Sequence, residues 1–418
     1  MDPSSLRPLP SFFILQDLTA ITARACEFKI NPNEAQATEN LKGWFSSFGP
    51  YRNERERILV LKQRFEYFGA RAFPIGDVSH LETCIIFFLW AFSFDDVSDE
   101  GELQCEPERV KIGVDLCSQV LDQPLGTPPP KYKYAVMLHD LWHRYCATAT
   151  PSACERFALA LKIWMYSQIE QAANRSQSTV PSVQDFIELR RRTIGGMTVE
   201  AMVVYSIDAD IPNHVWYHPT MIEISKAVID IMTWPNDLCS FNKEQADGDY
   251  QNLVACVMLE HDLDLQSAVN VVTSMLAKRV DDYMEYKKLL PSFGEATDRE
   301  LARYFKALEH YVQGTVHWYY HSTRYFRDID ISNKRNLVVP VFRSTTETKP
   351  KLLAIPQTPR ATPKLTPIVE SSLHSFPILL ILLYTSLVSL LVVFIVNGYN
   401  PQGSRFLRMP NVDRSVHF

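Results

Sequence analysis

Apolar residues recur at steps of three and four positions through most of the first 335 residues. A representative stripe consists of Phe157, Leu161, Trp164, Met165 and Ile169. This spacing puts apolar side chains on one face of an α-helix, whereas the two-residue alternation typical of strands is scarce. The 14 glycines among 418 residues leave few positions for hairpin turns. The pattern predicts an all-α body of ten or more helices.

The charge balance and the motifs exclude several classes of protein. The chain has 42 Lys and Arg against 48 Asp and Glu, so it lacks the basic surplus of a nucleic-acid-binding protein. It contains neither a G-x-x-x-x-G-K-[ST] phosphate loop nor a G-x-G-x-x-G dinucleotide loop. None of the eight cysteines forms a C-x-x-C pair, and the N-terminal residues do not resemble a signal peptide. We therefore expect no nucleic-acid partner, and a catalytic body with reduced thiols in the cytosol.

The composition changes after the helical body. Closely spaced prolines disfavour both helix and sheet in residues 339–375, so we predict a linker there. Residues 376–396 follow as a run without a charge, and at about 1.5 Å per residue this run spans roughly 30 Å of hydrocarbon. The predicted organisation is a helical domain at 1–338, the linker, a single transmembrane helix at 376–396 and a short polar tail at 397–418.

The predicted span implies a membrane partner. Lys and Arg residues lie on both sides of it, so the positive-inside rule does not decide its orientation. Late insertion of a C-terminal span leaves the body in the cytosol, and we expect the endoplasmic reticulum as its membrane. The sequence does not predict the oligomeric state.

Two carboxylates stand one helical turn apart after the apolar run CIIFFLWAFSF. Asp95 and Asp99 are at positions i and i+4, so both can reach one cation, whereas Asp96 points about 100° away toward another partner. Oxygen ligands of this kind suit Mg²⁺. The alternative is a solvated acidic helix end, which most acidic runs are.

A second row of oxygen-bearing side chains lies about 140 residues later. Asn236, Ser240 and Glu244 are spaced i, i+4 and i+8 on one helix face, with Lys243 beside them. One amide, one hydroxyl and one carboxylate bind a cation weakly, which suggests that the metal arrives with a phosphorylated substrate. The apolar stretch that leads to this row is interrupted by Pro235. Such a spacing also arises by chance.

Together the two motifs resemble those of class I terpene synthases of the fungal sesquiterpene cyclase type. The family's D-D-x-x-D/E motif is matched by Asp95, Asp96 and Asp99, and its N-D-x-x-S-x-x-K-E motif by residues 236–244. The resemblance covers roughly residues 10–335 and implies a class I terpenoid synthase helical bundle in which the motifs face each other. It implies three Mg²⁺ ions and a prenyl diphosphate substrate. The implied metal ligands are Asp95, Asp99, Asn236, Ser240 and Glu244.

The resemblance also implies residues that bind the diphosphate. Arg324 and Tyr325 match an Arg-Tyr pair of the family, and Asp96 matches the aspartate that contacts this arginine, a contact we expect only with ligand bound. Arg190 matches a diphosphate-sensing arginine, with Arg191 and Arg192 as alternatives and a solvated arginine face as the other reading. The implied diphosphate-binding residues are Arg190, Asn236, Lys243, Arg324 and Tyr325.

The implied chemistry requires a cavity that excludes water from a carbocation. Phe92, one turn before Asp95, and Trp318, six residues before Arg324, match aromatic wall positions of the family; ordinary core packing is the alternative. A helix can break at Gly195-Gly196 and present a carbonyl to the cation. Weaker wall candidates are Phe65, Phe68, Phe88 and Trp234.

We therefore expect Mg²⁺-dependent cyclisation of farnesyl diphosphate to a sesquiterpene with release of diphosphate, a carbon–oxygen lyase reaction of the EC 4.2.3 type. A chain-elongating prenyltransferase normally has a second Asp-rich motif, which this chain lacks. A catalytically silent, membrane-tethered prenyl-diphosphate-binding protein is the other alternative. His139 and His143 are spaced i, i+4, but no third ligand is evident and we do not expect zinc there.

Overall fold

The computed structural model describes residues 1–49, 53–99, 103, 105–326 and 329–342, without the side chains of residues 55, 56, 59 and 97–99. Within these ranges the chain forms sixteen α-helices, two strands and a 3-10 turn at Pro3–Ser5. The helices are α1 (Leu18–Thr22), α2 (Glu34–Asn40), α3 (Trp44–Ser47), α4 (Glu54–Leu61), α5 (Phe65–Ala72), α6 (Val78–Asp99), α7 (Pro107–Asp122), α8 (Lys133–Thr148), α9 (Pro151–Ser176), α10 (Val183–Thr193), α11 (Gly196–Ser206), α12 (Asn213–Trp216), α13 (Pro219–Ala246), α14 (Leu253–His261), α15 (Leu265–Leu289) and α16 (Glu295–His321). The strands are β1 (Phe12–Gln16) and β2 (Asn336–Pro340).

The helices pack around a core that contains most of α6, α13 and α16. α13 packs against α14, α15 and α16, and α16 packs in addition against α5. Trp90 of α6 is fully buried, and its indole N–H donates to the carbonyl of Tyr134 on α8 at 2.9 Å. Among the described residues, Val78–Asp96 of α6 is long and apolar enough to cross a membrane, but 67% of it is buried inside the protein. The predicted helical body is confirmed.

Side-chain caps mark where two of the long helices begin. The hydroxyl of Thr150 accepts the backbone N–H of Ala153 at the start of α9, where Pro151 occupies the first helical position. The carboxylate of Asp264 accepts the N–H of Ser267 at the start of α15. Such caps satisfy backbone donors that the first turn of a helix leaves unpaired, so the polar residues before each apolar stripe determine the helix boundary.

A small sheet, absent from the all-α prediction, joins the two ends of the body. β1 and β2 pair antiparallel, with Ile14 opposite Val338. Phe13 and Val339 face the core, whereas Phe12 and Ile14 are exposed. The prediction is wrong in this detail because two five-residue strands, more than 300 residues apart, are too short for their alternation to be recognised.

β2 also shows that the helical domain extends beyond its predicted end. The predicted boundary at residue 338 falls inside β2, and the N–H of Val341 still donates to the carbonyl of Ser11 at 3.0 Å. The body therefore continues at least to Phe342. The chain divides into the units Met1–Pro350 and Lys351–Phe418, and all described residues belong to the first. The rest of the predicted linker, the transmembrane helix at 376–396 and the tail at 397–418 lie outside the described residues.

Pro235 interrupts the apolar stretch of the sequence without breaking the helix, because α13 runs through it from Pro219 to Ala246. A proline removes one helical hydrogen bond, and packing of α13 on its neighbours outweighs that loss. On one side of the proline, the hydroxyl of Tyr319 donates to the carbonyl of Met232 at 3.2 Å. A single helix thus carries the whole second motif.

Helices α5 and α16 touch through their backbones at Gly314. A Cβ atom placed there would lie 2.1 Å from the carbonyl oxygen of Arg71 and 2.8 Å from the amide nitrogen of Ala72. Any side chain at this position would push the two helices apart. The contact allows Phe68 of α5 to stack on Trp318 of α16 with ring centroids 4.3 Å apart.

Candidate active site

A cleft of about 250 Å³ lies between α5, α6, α9, α10, α11, α13 and α16. Most of the residues singled out from the sequence line it, although they come from four separate parts of the chain. They are Phe92, Asp95, Arg190, Asn236, Ser240, Lys243, Glu244, Trp318, Arg324 and Tyr325. The two predicted motifs therefore face one common space.

α13 presents Asn236, Ser240 and Glu244 to the cleft from three successive turns, with Lys243 alongside. Burial raises the pKa of Glu244 to about 7, and the nearby carboxylates of Asp249 and Asp237 act in the same direction. A bound cation would relieve this unfavourable negative charge and favour the ionised carboxylate.

α6 supplies the opposite side of the cleft. Asp95 lines it from the last part of the helix, and α6 continues to Asp99, so the backbone spacing places both residues on one helix face. The side chain of Asp99 lies outside the described residues, and its role as a metal ligand stays a prediction.

Asp96 contacts the arginine of the Arg-Tyr pair. Its Oδ1 lies 2.8 Å from Nη2 of Arg324, and both side chains are largely buried. The contact predicted between Asp96 and Arg324 is therefore present in the structure, and its dependence on a bound ligand stays a prediction. The end of α6 and the segment after α16 already lie close enough, and burial strengthens the attraction between the charges.

The arginine triplet on α10 divides between two environments. Arg190 lines the cleft, and its guanidinium donates to Oδ1 of Asn236 at 2.8 Å and of Asp237 at 3.0 Å. Arg191 instead pairs with Asp230, and Arg192 extends to an exposed glutamate away from the cleft. Successive helical residues point about 100° apart, so only one of three neighbours can face a given direction. The structure places Arg190 at the site.

The second motif also contacts the Arg-Tyr pair directly. Nδ2 of Asn236 donates to the hydroxyl of Tyr325 at 3.0 Å, while its Oδ1 accepts from Arg190. Burial raises the pKa of Tyr325, which keeps its hydroxyl protonated and able to donate to an anion. One amide thus joins the predicted sensor to the predicted diphosphate-binding tyrosine.

Aromatic rings form the apolar wall of the cleft. Phe68 stacks between Phe88 and Trp318, with centroid distances of 4.0 Å and 4.3 Å, and Phe92 meets Trp318 edge to face at 5.4 Å. Of the weaker candidates, Phe68 and Phe88 line the cleft. Phe65 instead packs on Phe92 at 4.7 Å. Trp234 is buried and is not among the lining residues.

The predicted helix break at Gly195-Gly196 is confirmed. α10 ends at Thr193, Gly195 has a φ of +75°, and α11 begins at Gly196. The left-handed φ explains why glycine occupies the first of these positions. Ile194 and Gly195 line the cleft, so the break lies where the prediction requires it.

Asn252 is a site residue that the sequence analysis missed. It is fully buried, and its Nδ2 donates to Oε2 of Glu244 at 2.8 Å and to the carbonyl of Asp237 at 2.9 Å, with Oγ of Ser240 at 3.4 Å. Its Oδ1 caps α14 by accepting the N–H of Val254. The asparagine before the apolar run LVACVM signals a helix cap, but nothing local indicates its contact with the motif.

A buried ion pair near the same end of the cleft was also missed. Nε of Arg175 on α9 lies 2.8 Å from Oδ2 of Asp249, and both side chains are more than nine-tenths buried. Both residues line the cleft. The pair ties the end of α9 to the connection between α13 and α14, and so closes that side of the site.

Among the described residues, the two histidines on α8 contact the backbone of the segment that precedes this helix. Nε2 of His139 lies 3.1 Å from the carbonyl of Thr127, and Nε2 of His143 accepts from the N–H of Gly126 at 3.3 Å. Across the described ranges, no group of three or more His, Cys, Asp or Glu side chains is placed to hold a metal ion. The α13 row supplies one carboxylate with an amide and a hydroxyl, a donor set that suits a hard divalent cation shared with an anionic ligand.

The fold and the facing motifs define a class I terpene synthase. The family described as "Terpene synthase family 2, C-terminal metal binding" matches residues 87–282. Sesquiterpene synthase Agr1 of Cyclocybe aegerita is 30% identical over 78% of this chain and 94% of its own length. Sesquiterpene synthase 1 of Postia placenta is 29% identical over 79% of this chain and 95% of its own length. The crystal structure of a-eudesmol synthase superposes with a TM-score of 0.64 at 18% identity, over 70% of this chain and 96% of that one.

This chain belongs to the terpene synthase family. The match at residues 87–282 spans both Asp95 and Glu244, so the family's metal-binding part coincides with the two rows that face the cleft. A divalent metal ion and a prenyl diphosphate substrate follow from membership. The structural likeness independently establishes the mostly helical class I fold.

Proposed function

We propose that this protein is a sesquiterpene synthase, which ionises farnesyl diphosphate, cyclises the resulting carbocation and releases diphosphate. One observation carries the proposal. Asp95 on α6 and the α13 row of Asn236, Ser240 and Glu244 line the same cleft, and aromatic side chains form the rest of its wall. The relatives named as sesquiterpene synthases support farnesyl diphosphate as the substrate.

The polar end of the cleft suits a diphosphate that gains charge as it leaves. Divalent cations, three by family resemblance, would supply positive charge there, held by Asp95, Asp99, Asn236, Ser240 and Glu244. Arg190, Lys243 and Arg324 add positive charge from three sides, and Tyr325 donates a hydroxyl proton. Groups fixed in place before the reaction stabilise the developing charge without reorganising.

The aromatic end of the cleft protects the carbocation. Phe92 and Trp318 line the cleft with aromatic rings rather than nucleophilic atoms, and a ring face turned toward a desolvated cation contributes roughly 1–2 kcal/mol of attraction. The rings also exclude the water that would quench it. The departing diphosphate can accept the terminal proton, so no dedicated protein base is required.

The direct test is incubation of the detergent-solubilised full-length chain with farnesyl diphosphate and Mg²⁺, followed by gas chromatography–mass spectrometry of the organic phase. A cyclic hydrocarbon or alcohol supports the proposal. A longer prenyl diphosphate would identify an elongating prenyltransferase, and binding without conversion would identify a silent binding protein. Glu244→Gln should abolish product. Glu223→Gln on the same helix, at a half-buried glutamate that pairs with Lys226 and does not line the cleft, is the matched control and should retain activity.

A C-terminal membrane anchor at residues 376–396, with the catalytic body in the cytosol, is the second part of the proposal. The uncharged run after a proline-rich segment supports it, as does the lipophilic nature of both substrate and product. Membrane fractions should retain the full chain after carbonate extraction, and protease added outside sealed microsomes should cleave the body. Release of the intact chain by carbonate would refute the anchor.

A further inference from the structure

The last described residues form a strap over the helix that carries the second motif. We define the C-terminal strap as residues 336–342, which comprise β2 and the two residues after it. Asn242 of α13 clamps it through two hydrogen bonds of 2.7 Å: Nδ2 donates to the carbonyl of Pro340, and Oδ1 accepts the N–H of Phe342. Gln245 adds a third bond, from Nε2 to the carbonyl of Phe342 at 2.8 Å.

The clamp lies on the back of the metal-binding face. Asn242 is two residues from both Ser240 and Glu244, which turns it about 200° around the helix axis from each. It is 1% exposed, so its amide has no access to bulk water as an alternative partner. Loss of either strap bond would leave a buried polar group unsatisfied, which costs about 1–3 kcal/mol. The strap is therefore held tightly against α13.

We propose that Asn242 is a positioning residue for the metal site, acting by fixing the rotation of α13 against the C-terminal strap. This inference rests on the proposed function, since it assigns a role in presenting Ser240 and Glu244 to divalent cations. On the front of the helix Asn252 fixes the Glu244 carboxylate, and on the back Asn242 fixes the backbone that carries it. A rotation of α13 by a few degrees would displace all the ligands of the row together, which side-chain contacts at the front cannot correct.

The sheet provides a control for the clamp. Gln266 of α15 makes the same kind of paired contact with the other strand: its Oε1 accepts the N–H of Ile14 at 2.7 Å and its Nε2 donates to the Ile14 carbonyl at 3.1 Å. Gln266 thus holds the same two-stranded sheet from a helix that carries no predicted metal ligand. Gln266→Ala should weaken the sheet without moving the metal row.

The strap offers a second, independent variant. Phe342→Pro removes the N–H that donates to Asn242 and leaves α13 unchanged, whereas Phe342→Ala removes the ring but keeps that N–H. The difference between these two variants isolates the hydrogen bond. If Asn242→Ala fails to fold, the comparison of Phe342→Pro with Phe342→Ala still tests the positioning role.

The experiment measures cation binding without turnover. The full-length chain in detergent is titrated with Mg²⁺ in the presence of inorganic pyrophosphate, and the rise in Tm gives the Mg²⁺ concentration for half-maximal stabilisation. Loss of a hydrogen bond made directly to a metal ligand typically weakens metal binding about 10–100-fold, and the strap bonds act on the ligands through the backbone of α13. We expect Asn242→Ala and Phe342→Pro to raise the half-maximal Mg²⁺ concentration about tenfold or more. Gln266→Ala and Phe342→Ala should stay within about twofold of the unsubstituted chain.

The outcomes separate this inference from the proposed function. Unchanged Mg²⁺ titrations in folded Asn242→Ala and Phe342→Pro would overturn the positioning role, as would an equal shift in Gln266→Ala. Failure of the unsubstituted chain to respond to Mg²⁺ and pyrophosphate would instead overturn the proposed function. A lowered Tm alone, with the same Mg²⁺ midpoint, would show that the strap serves stability only.

Discussion

Nδ2 of Asn252 lies 2.8 Å from Oε2 of Glu244 where α13 meets α14; Asn252 is fully buried, and Glu244 is half-buried at the edge of the cleft. The donor is fixed from its other end, because Oδ1 of Asn252 caps α14. The carboxylate that completes the α13 row therefore has its orientation set by a residue from another helix. Contacts of this kind around metal ligands orient them and tune their affinity.

Asn252→Ala should lower kcat/KM about 10–100-fold, because Glu244 loses its orienting donor. The free energy of unfolding should fall by about 1–3 kcal/mol as buried groups lose their partner. Product formation and denaturant unfolding measure the two effects separately. Asn270→Ala, at an exposed asparagine on α15, is the control and should change neither. Normal kcat/KM in folded Asn252→Ala would show that Glu244 needs no such support.

Arg190→Lys should lower activity about 100-fold or more, whereas Arg191→Lys should leave it within a few-fold. Lysine keeps the charge but loses the planar fork with which Arg190 reaches Asn236 and Asp237 together. A lost donor to developing negative charge typically reduces kcat by roughly 10²–10³. Steady-state kinetics on both variants decide the assignment, and the reverse ranking would place the sensor at Arg191.

Trp318→Phe should change the proportions of the products more than it changes the rate of substrate consumption. The indole packs on Phe68 and meets Phe92 edge to face, so a smaller ring alters the shape of the apolar wall while the polar end stays intact. Trp318 Nε1 also donates to the carbonyl of Gln63 at 3.0 Å, and phenylalanine removes this bond. Gas chromatography measures the proportions of the products, and total turnover measures the rate of substrate consumption. An unchanged product profile would remove Trp318 from the cavity wall.

Glu200→Gln should stabilise the protein at pH 8 and have little effect at pH 4. Burial raises the pKa of Glu200 to about 7, against an ordinary 4.5, although Ser225 and Tyr304 donate to it. The folded state therefore holds a proton that the unfolded state releases, and stability is lost as pH rises from about 4.5 to 7. A shift of this size corresponds to about 3 kcal/mol at most.

Denaturant unfolding of both chains across this pH range measures the effect of Glu200. The difference in free energy of unfolding between Glu200→Gln and the unsubstituted chain should grow between pH 4.5 and 7 and then level off. Other groups titrate equally in both chains and cancel in the difference. A constant difference would show that folding does not raise the pKa of Glu200.

The sequence contained enough information to locate both motifs on helices that share a cleft. The i, i+4 and i, i+4, i+8 spacings fix which side chains project together from one helix, and that property is local. The apolar run before Asp95 correctly indicated a buried α6. Family resemblance then supplied Arg190 and the Arg-Tyr pair, whose positions no spacing rule relates to the motifs.

What the sequence did not reveal depends on contacts between distant segments. The pairing of β1 with β2, the contact of Asn252 with Glu244 and the ion pair of Arg175 with Asp249 each join separate elements. Pro235 illustrates the opposite case. Proline is a local signal for the end of a helix, but packing along the whole of α13 overrides it. Which arginine of the triplet faces the cleft depends on how α10 is rotated about its axis, and three adjacent identical residues give no indication of that rotation.

The backbone contact at Gly314 bears on attempts to redirect the product. Gly314 does not itself border the cleft, yet it determines how near α5 and α16 come and therefore the separation of Phe68 from Trp318. Mutant libraries confined to cleft-lining positions would change the side chains of the wall but not the separation of α5 and α16. Substitutions at this crossing would instead change the distance between the walls, and a small library there would explore cyclisation geometries that no exchange of a lining side chain reaches.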